Sequence, residues 1–158
     1  MLFSRAKPPV IRPLRADKAA GCARLHAADF AHPWSAEEIA AVIARPTTLA
    51  AAALDPASGA LRGFVLARLA ADEAEILTIA VEAAARGRGV GRSLLVETLR
   101  QAVNAGARAI FLEVDERNSS ALALYQRLGF VKVGERAGYY RRRDGSRASA
   151  AVMRKSLA

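Results

Sequence analysis

Apolar positions along the chain switch between a period of two and a period near 3.6, and these switches divide it into elements. Residues 10–15 read as a short first strand, after which Asp17 is placed to cap a helix running to about residue 28. Pro33, within Phe30-Ala31-His32-Pro33-Trp34-Ser35, interrupts regular structure. Ser35 then opens a second helix, with Glu38 three positions on to complete a capping box. Residues 47–54 and 61–70 alternate as a hairpin around the turn Asp55-Pro56-Ala57-Ser58-Gly59, and 74–81 forms a third central strand bounded by Asp72-Glu73. Over 90–104, Val90, Leu94, Leu95, Leu99, Ala102 and Val103 make one apolar helical stripe, which Asn104-Ala105-Gly106 ends. A strand at 109–114, a helix at 118–128 capped by Asn118, a strand at 130–134 and a last strand at 148–155 after Asp144-Gly145 complete the pattern. The order βααβββαβαββ predicts an α+β fold, a mixed central sheet flanked by helices. With no repeat, linker or composition break, 1–158 is expected to be a single domain.

Composition narrows the classes. A chain of 158 residues buries roughly 70% of its unfolded surface on folding. Its apolar fraction of 53%, inflated by alanine, is compatible with one sizeable core. No stretch approaches the roughly 20 apolar residues of a membrane span, and Met1 to Pro9 lacks the apolar centre of a secretory signal. A cytoplasmic protein with no membrane partner is therefore expected. Cys22 is the only cysteine, so no internal disulfide forms, and with only His26 and His32 beside it no metal site of the usual zinc composition is expected. The net charge of +9 points to an anionic partner: a phosphate-bearing cofactor, an RNA or ribosomal surface, or an acidic substrate. Its plain alternative is an arginine-rich solvated surface.

The candidate chemistry centres on Arg86-Gly87-Arg88-Gly89-Val90-Gly91-Arg92, between a strand and a helix. Glycines there let the chain turn tightly, and the helix that follows offers unpaired amides and its positive dipole end to a phosphate. The segment lacks the Gly-Lys-Ser/Thr ending of a triphosphate loop and the later acidic residue of a dinucleotide binder. Glu113 interrupts the apolar strand Ile110-Phe111-Leu112-Glu113-Val114 and shares a face with Phe111. It is either a charge on a solvated face or a partly desolvated carboxylate suited to accept a proton. Asn118 and Tyr125 fall on one helix face about 10 Å apart, so one ligand could meet both; equally, one is a cap and the other a core aromatic. Cys22, four residues before His26, reads as a buried apolar residue rather than an acyl-carrying nucleophile. Arg141-Arg142-Arg143 reads as a solvated hairpin tip, with steering of an acidic peptide or RNA as the alternative.

Two segments, Arg86-x-x-Gly89-x-Gly91 and Asn118-x-x-Ala121-x-x-Leu124-Tyr125-x-x-x-Gly129-Phe130, resemble the pyrophosphate loop and the following segment of the GNAT superfamily of acetyl-CoA-dependent N-acetyltransferases. Further segments are similar to the superfamily's RimI-type group, which acetylates the N-terminal alanine of ribosomal protein bS18. These are His32-Pro33-Trp34-Ser35, Ile79-Ala80-Val81, Phe111-Leu112-Glu113-Val114, Gly134-Glu135-Arg136-Ala137-Gly138-Tyr139-Tyr140 and Ala151-Val152-Met153. Asp115-Glu116 and Arg117 depart from that group's pattern beside the site. The resemblance implies the GNAT fold and acetyl-CoA as co-substrate, with a protein N-terminus, bS18 above all, as acceptor. It implies that the backbones of Ile79, Ala80 and Val81 bind the pantetheine arm and acetyl carbonyl. The amides of Gly87, Arg88, Gly89, Val90, Gly91 and Arg92 would hold the pyrophosphate with charge from Arg86, Arg88 and Arg92, and Asn118 would meet the pantetheine. Glu113 is implied as general base and Tyr125 as general acid, with Trp34, Tyr139 and Tyr140, expected in loops, bordering the acceptor groove. Other readings are a GNAT enzyme acting on a small amine or lysine, and an inactive basic module that binds RNA or ribosome. Specific nucleic-acid binding is not expected, because only Tyr139-Tyr140 interleaves stacking aromatics with the arginines.

Overall fold

Strand alternation in the sequence becomes alternating burial in the structure, a computed structural model that describes residues 7–142 and 144–158 apart from the side chains of Tyr139 and Tyr140. Seven strands form one sheet among the described residues: β1 (Val10–Arg12), β2 (Thr48–Leu54), β3 (Leu61–Ala70), β4 (Glu73–Val81), β5 (Ala109–Asp115), β6 (Val131–Arg141) and β7 (Arg147–Ser156). Their order across the sheet is β1-β2-β3-β4-β5-β7-β6. Every neighbouring pair is antiparallel except β4 and β5. Among the described residues four α-helices cover the faces: α1 (Ala19–Asp29), α2 (Ala36–Ile43), α3 (Val90–Asn104) and α4 (Ser119–Arg127). The predicted α+β order is the observed one.

Each face has its own core. The stripe of α3, with Val90, Leu94, Leu95 and Ala102 buried, packs on Val65, Ile76, Ile110, Leu112 and Val114. Full burial of a leucine contributes about 1.5–3 kcal/mol, so this stripe holds α3 in place. On the opposite face Cys22 of α1 and Ile39 of α2 cover Ala52, Phe64, Leu66 and Ala80. Ser35 caps α2 as its spacing predicts: Glu38 N donates to Ser35 Oγ (3.1 Å) and Ser35 N to Glu38 Oε2 (3.2 Å).

Three local readings need correction. Asp17 does not cap α1; it lies in a 3-10 turn, Ala16–Lys18, and Lys18 precedes the helix without a side-chain cap. The first strand stops at Arg12, where Pro13 follows with no amide hydrogen to pair. The strand expected to end at Gly134 runs to Arg141, because Gly134 and Gly138 lie where β6 shifts register, between Lys132 and Gly134 and between Arg136 and Tyr140.

The pairing of β4 with β5 sets the site. It consists of three rungs, Glu73 with Ala109, Ala74 with Ile110 and Glu75 with Phe111. Beyond them β4 carries a bulge: Ala67 pairs with Ile76 and Leu66 with Thr78, leaving Leu77 as the extra residue. A bulge bends its strand and sharpens the local twist, and here β4 leaves β5. The stretch Thr78 to Val81 therefore keeps its ladder to β3 alone, and a gap opens inside the sheet.

Candidate active site

At the far end of β4 the glycine-rich loop turns into α3. Gly87 (φ +75°) and Gly89 (φ +77°) occupy the left-handed region, which a side chain would strain. A Cβ at either would meet nothing within 4 Å, so conformation rather than crowding requires glycine and the loop stands open. Gly89 caps α3 without a side-chain hydrogen bond, so the first-turn amides of Val90, Gly91 and Arg92 have no capping acceptor. Gly91 brings three elements together: a Cβ there would lie 3.6 Å from Leu124 of α4 and 3.9 Å from Val81 of β4. Uncapped amides, a positive helix end and the exposed Arg88 and Arg92 fit a diphosphate. Arg86 has a different setting from these two. Its Nε donates to Val81 O (3.2 Å) and its Nη2 to Asp29 Oδ1 (2.5 Å), which straps the loop to the ends of β4 and α1.

On the other side of the gap, Glu113 projects from β5 with Phe111, away from Ile110, Leu112 and Val114. Its side chain is partly desolvated rather than a charge on a freely solvated face. Its side chain is 22% exposed, and its charge is met by Arg136 of β6, whose Nε lies 2.9 Å from Glu113 Oε1. The pair lines a cavity of about 260 Å³ with Phe111, Val152 and a second ion pair, Arg68–Glu75 at 2.6 Å. That volume lies just below the roughly 300–1,000 Å³ of small-molecule pockets.

Asn118 caps α4, its Oδ1 accepting from Ala121 N (3.2 Å), so any donor contact it makes to a ligand comes from Nδ2. Tyr125 packs edge-on against Phe130, ring centroids 5.9 Å apart, within the α3-side core. Burial pushes its phenol up to about 12, so the hydroxyl stays protonated throughout the physiological range.

Thr78 lies in the stretch of β4 that borders the gap. Its Oγ1 is the only side-chain polar atom among the described residues that is buried without a hydrogen bond. An orphaned buried hydroxyl costs about 1–3 kcal/mol. Replacing it with the isosteric valine is expected to raise Tm by about 2–12 °C in a thermal melt; a fall would mean that the hydroxyl has a partner in solution.

Trp34 is half-buried against the α1–α2 core. Its ring lies 5.2 Å from His26, which also stacks on Phe30 at 4.1 Å. Trp34 N donates to His26 Nδ1 (3.0 Å), and burial holds the pKa of His26 below its usual value, so the imidazole is neutral. Tyr139 and Tyr140 lie in strand β6 rather than in a loop, and their side chains fall outside the described residues. The arginine run is not a solvated tip at Arg142: this residue grips Asp115 with Nε–Oδ2 at 2.6 Å and Nη2–Oδ1 at 2.8 Å, while Arg143 lies outside the described residues. Asp115 and Glu116, the acidic departures noted in the sequence, are thus answered by Arg142 and by Lys132 at 3.2 Å. Cys22 is fully buried and its thiol is pushed up to about 12, which removes the thiolate a nucleophile needs. Folded protein is expected to resist alkylation by iodoacetamide at pH 8, with reaction only after denaturation; prompt labelling would contradict that burial.

Sequence reasoning missed Arg136, Thr78 and Asp29. No local signal marks Arg136 or Asp29, because each meets its partner through distant pairing; a threonine in an apolar strand is the faint signal Thr78 leaves.

A family model described as Acetyltransferase (GNAT) family matches residues 14–130. The N-alpha-acetyltransferase RimI of Mycobacterium tuberculosis is 37% identical over 141 residues, covering 85% of this chain and 86% of that protein. The [ribosomal protein bS18]-alanine N-acetyltransferase of Escherichia coli is 34% identical over 96 residues, 61% of this chain. The crystal structure of the ribosomal-protein-S18-alanine N-acetyltransferase from Escherichia coli superposes with a TM-score of 0.84 at 28% identity, covering 94% of each chain. The sequence match spans 64% of the E. coli enzyme's length and 21% of a longer, uncharacterised Mycobacterium leprae protein.

Proposed function

The chain belongs to the acetyltransferase (GNAT) family, and from that premise we propose that it transfers the acetyl group of acetyl-CoA to the N-terminal α-amine of a protein, with the N-terminal alanine of ribosomal protein bS18 as the acceptor. It acts in the cytoplasm, and residues 1–158 form one acetyltransferase domain. The observation that carries this reading is the gap in the sheet, with a phosphate-suited loop at one end and a carboxylate-lined cavity beside it. The names of the relatives support the choice of an α-amine over a lysine or small amine.

In this reading the amides of Gly87 to Arg92, with Arg88 and Arg92, hold the pyrophosphate, and Arg86 fixes the loop that presents them. Ile79, Ala80 and Val81 bind the pantetheine arm and the acetyl carbonyl through their backbones, and Asn118 adds an amide donor. An α-amine has a pKa near 7.7–8.0, so much of it is protonated at neutrality and cannot attack. Glu113 takes that proton, directly or through water, as the amine adds to the thioester carbon. Backbone donors along the gap meet the negative charge that develops on the carbonyl oxygen. Tyr125 donates a hydrogen bond to the departing sulfur. Trp34, Tyr139 and Tyr140 border the acceptor.

Mass spectrometry of lysine-containing peptide libraries incubated with enzyme and acetyl-CoA tests this. Label on the α-amine of Ala-initiated, bS18-like peptides is the expected result. Label confined to lysines or polyamines would reject the acceptor, and salt-sensitive RNA binding without turnover would reject the activity.

A further inference from the structure

Arg136 meets Glu113 from an unusual distance. Glu113 pairs with Val152 on β7, whereas Arg136 pairs with Ala150 on the same strand from the far side. The guanidinium therefore crosses β7 to reach the carboxylate, a span of about 10 Å at two strand spacings. It does so immediately before the second register shift of β6, at Arg136/Tyr140, where Gly138 has φ +60°. Bulges of this kind re-aim side chains beside active sites. The pair is of little worth to stability, since the arginine side chain is 54% exposed. It does place a hydrogen-bond acceptor and a donor 2.9 Å apart on the wall of the cavity.

A guanidinium and a carboxylate side by side on one wall match one chemical unit. In an N-terminal residue the amine nitrogen and the first carbonyl oxygen are joined through two carbons and lie roughly 3 Å apart. The amine donates and the carbonyl accepts, the reverse of the order on the cavity wall. A lysine ε-amine carries only methylenes where the carbonyl would be. Building on the function proposed above, we propose that Arg136 is a specificity determinant: its guanidinium binds the first carbonyl oxygen of the acceptor while Glu113 meets the amine, so the site selects α-amines over ε-amines. Arginine supplies five N–H donors, so the contact with Glu113 through Nε is compatible with a second one through an Nη group. A lysine acceptor offers no oxygen at that place, so it forgoes the hydrogen bond that an α-amine substrate gains there.

The test compares two peptides of matched length under saturating acetyl-CoA. One is lysine-free with a free N-terminal alanine; the other is N-terminally blocked and carries one lysine. In Arg136→Met the ratio of kcat/KM for the first peptide over the second is expected to fall at least tenfold, mainly through a higher KM for the first. Arg136→Lys, which keeps a donor, is expected to recover part of the ratio. Acetyl-CoA binding by calorimetry reports whether either variant is folded. Equal losses on both peptides, or a fall in kcat alone, would make Arg136 merely a support for Glu113 and overturn the inference. An unchanged ratio in folded Arg136→Met would overturn it too. If only Arg136→Met misfolds, Arg136→Lys decides, since a ratio below wild type with raised KM is expected and an unaltered one refutes. A wild-type enzyme that modifies neither peptide would instead refute the function on which the inference rests.

Discussion

Replacing Glu113 with glutamine is expected to lower kcat by at least tenfold while acetyl-CoA binding, read by calorimetry, stays intact. Glutamine has the shape of glutamate and keeps an oxygen that can accept from the Arg136 Nε now 2.9 Å away, so the cavity wall survives. What disappears is the capacity to take a proton from the amine. General base catalysis is worth typically 10²–10⁴-fold, and a factor of ten is the least that role permits. Supplying the acceptor at higher pH, where its amine is already neutral, should return part of the lost rate. Near-normal turnover at pH 7 would remove Glu113 from the mechanism.

Tyr125→Phe is the second large effect, and its size follows from the state of the phenol. At about 12 the hydroxyl is a weaker acid than an alkyl thiol, whose pKa is near 8.5 for cysteine. Tyr125 is therefore a hydrogen-bond donor to sulfur as charge develops, a contact worth about 1.5–3 kcal/mol. Loss of roughly 10–150-fold in kcat is expected, with the ring still packed on Phe130 and the fold retained. The direction of the shift also fixes the pH dependence. A phenol raised from its ordinary 10 to about 12 remains protonated up to about pH 11, so no falling limb that depends on Tyr125 should appear between pH 7 and 10. A limb centred near pH 9 that vanishes in Tyr125→Phe would contradict the burial seen here.

How far the sequence reveals this site depends on how local each feature is. Helix α3 begins and ends where its stripe and Gly106 predict, because propensity, periodicity and the terminal glycine act within a few residues. The capping box at Ser35 and the asparagine cap of α4 are legible for the same reason. Glu113 is visible as a lone charge in an apolar strand, yet its partner is not. Arg136 is 23 positions away along the chain, and only the order β5-β7-β6 brings the two together. Arg142 misleads in the same way, since three consecutive arginines look like a solvated tip until β6 and β7 carry the second of them to Asp115. Gly134 and Gly138 look like strand ends but accompany register shifts, because a glycine inside a ladder and one after it leave the same local mark.

Three rungs make up the backbone ladder between β4 and β5. The sheet is in effect two plates, one built from the first four strands and one from the last three, meeting along a seam that is closed at one end only. Anything extended that threads the open part with donors and acceptors of its own supplies the missing stitches. Such a segment couples the two plates along the length that the three rungs leave unpaired.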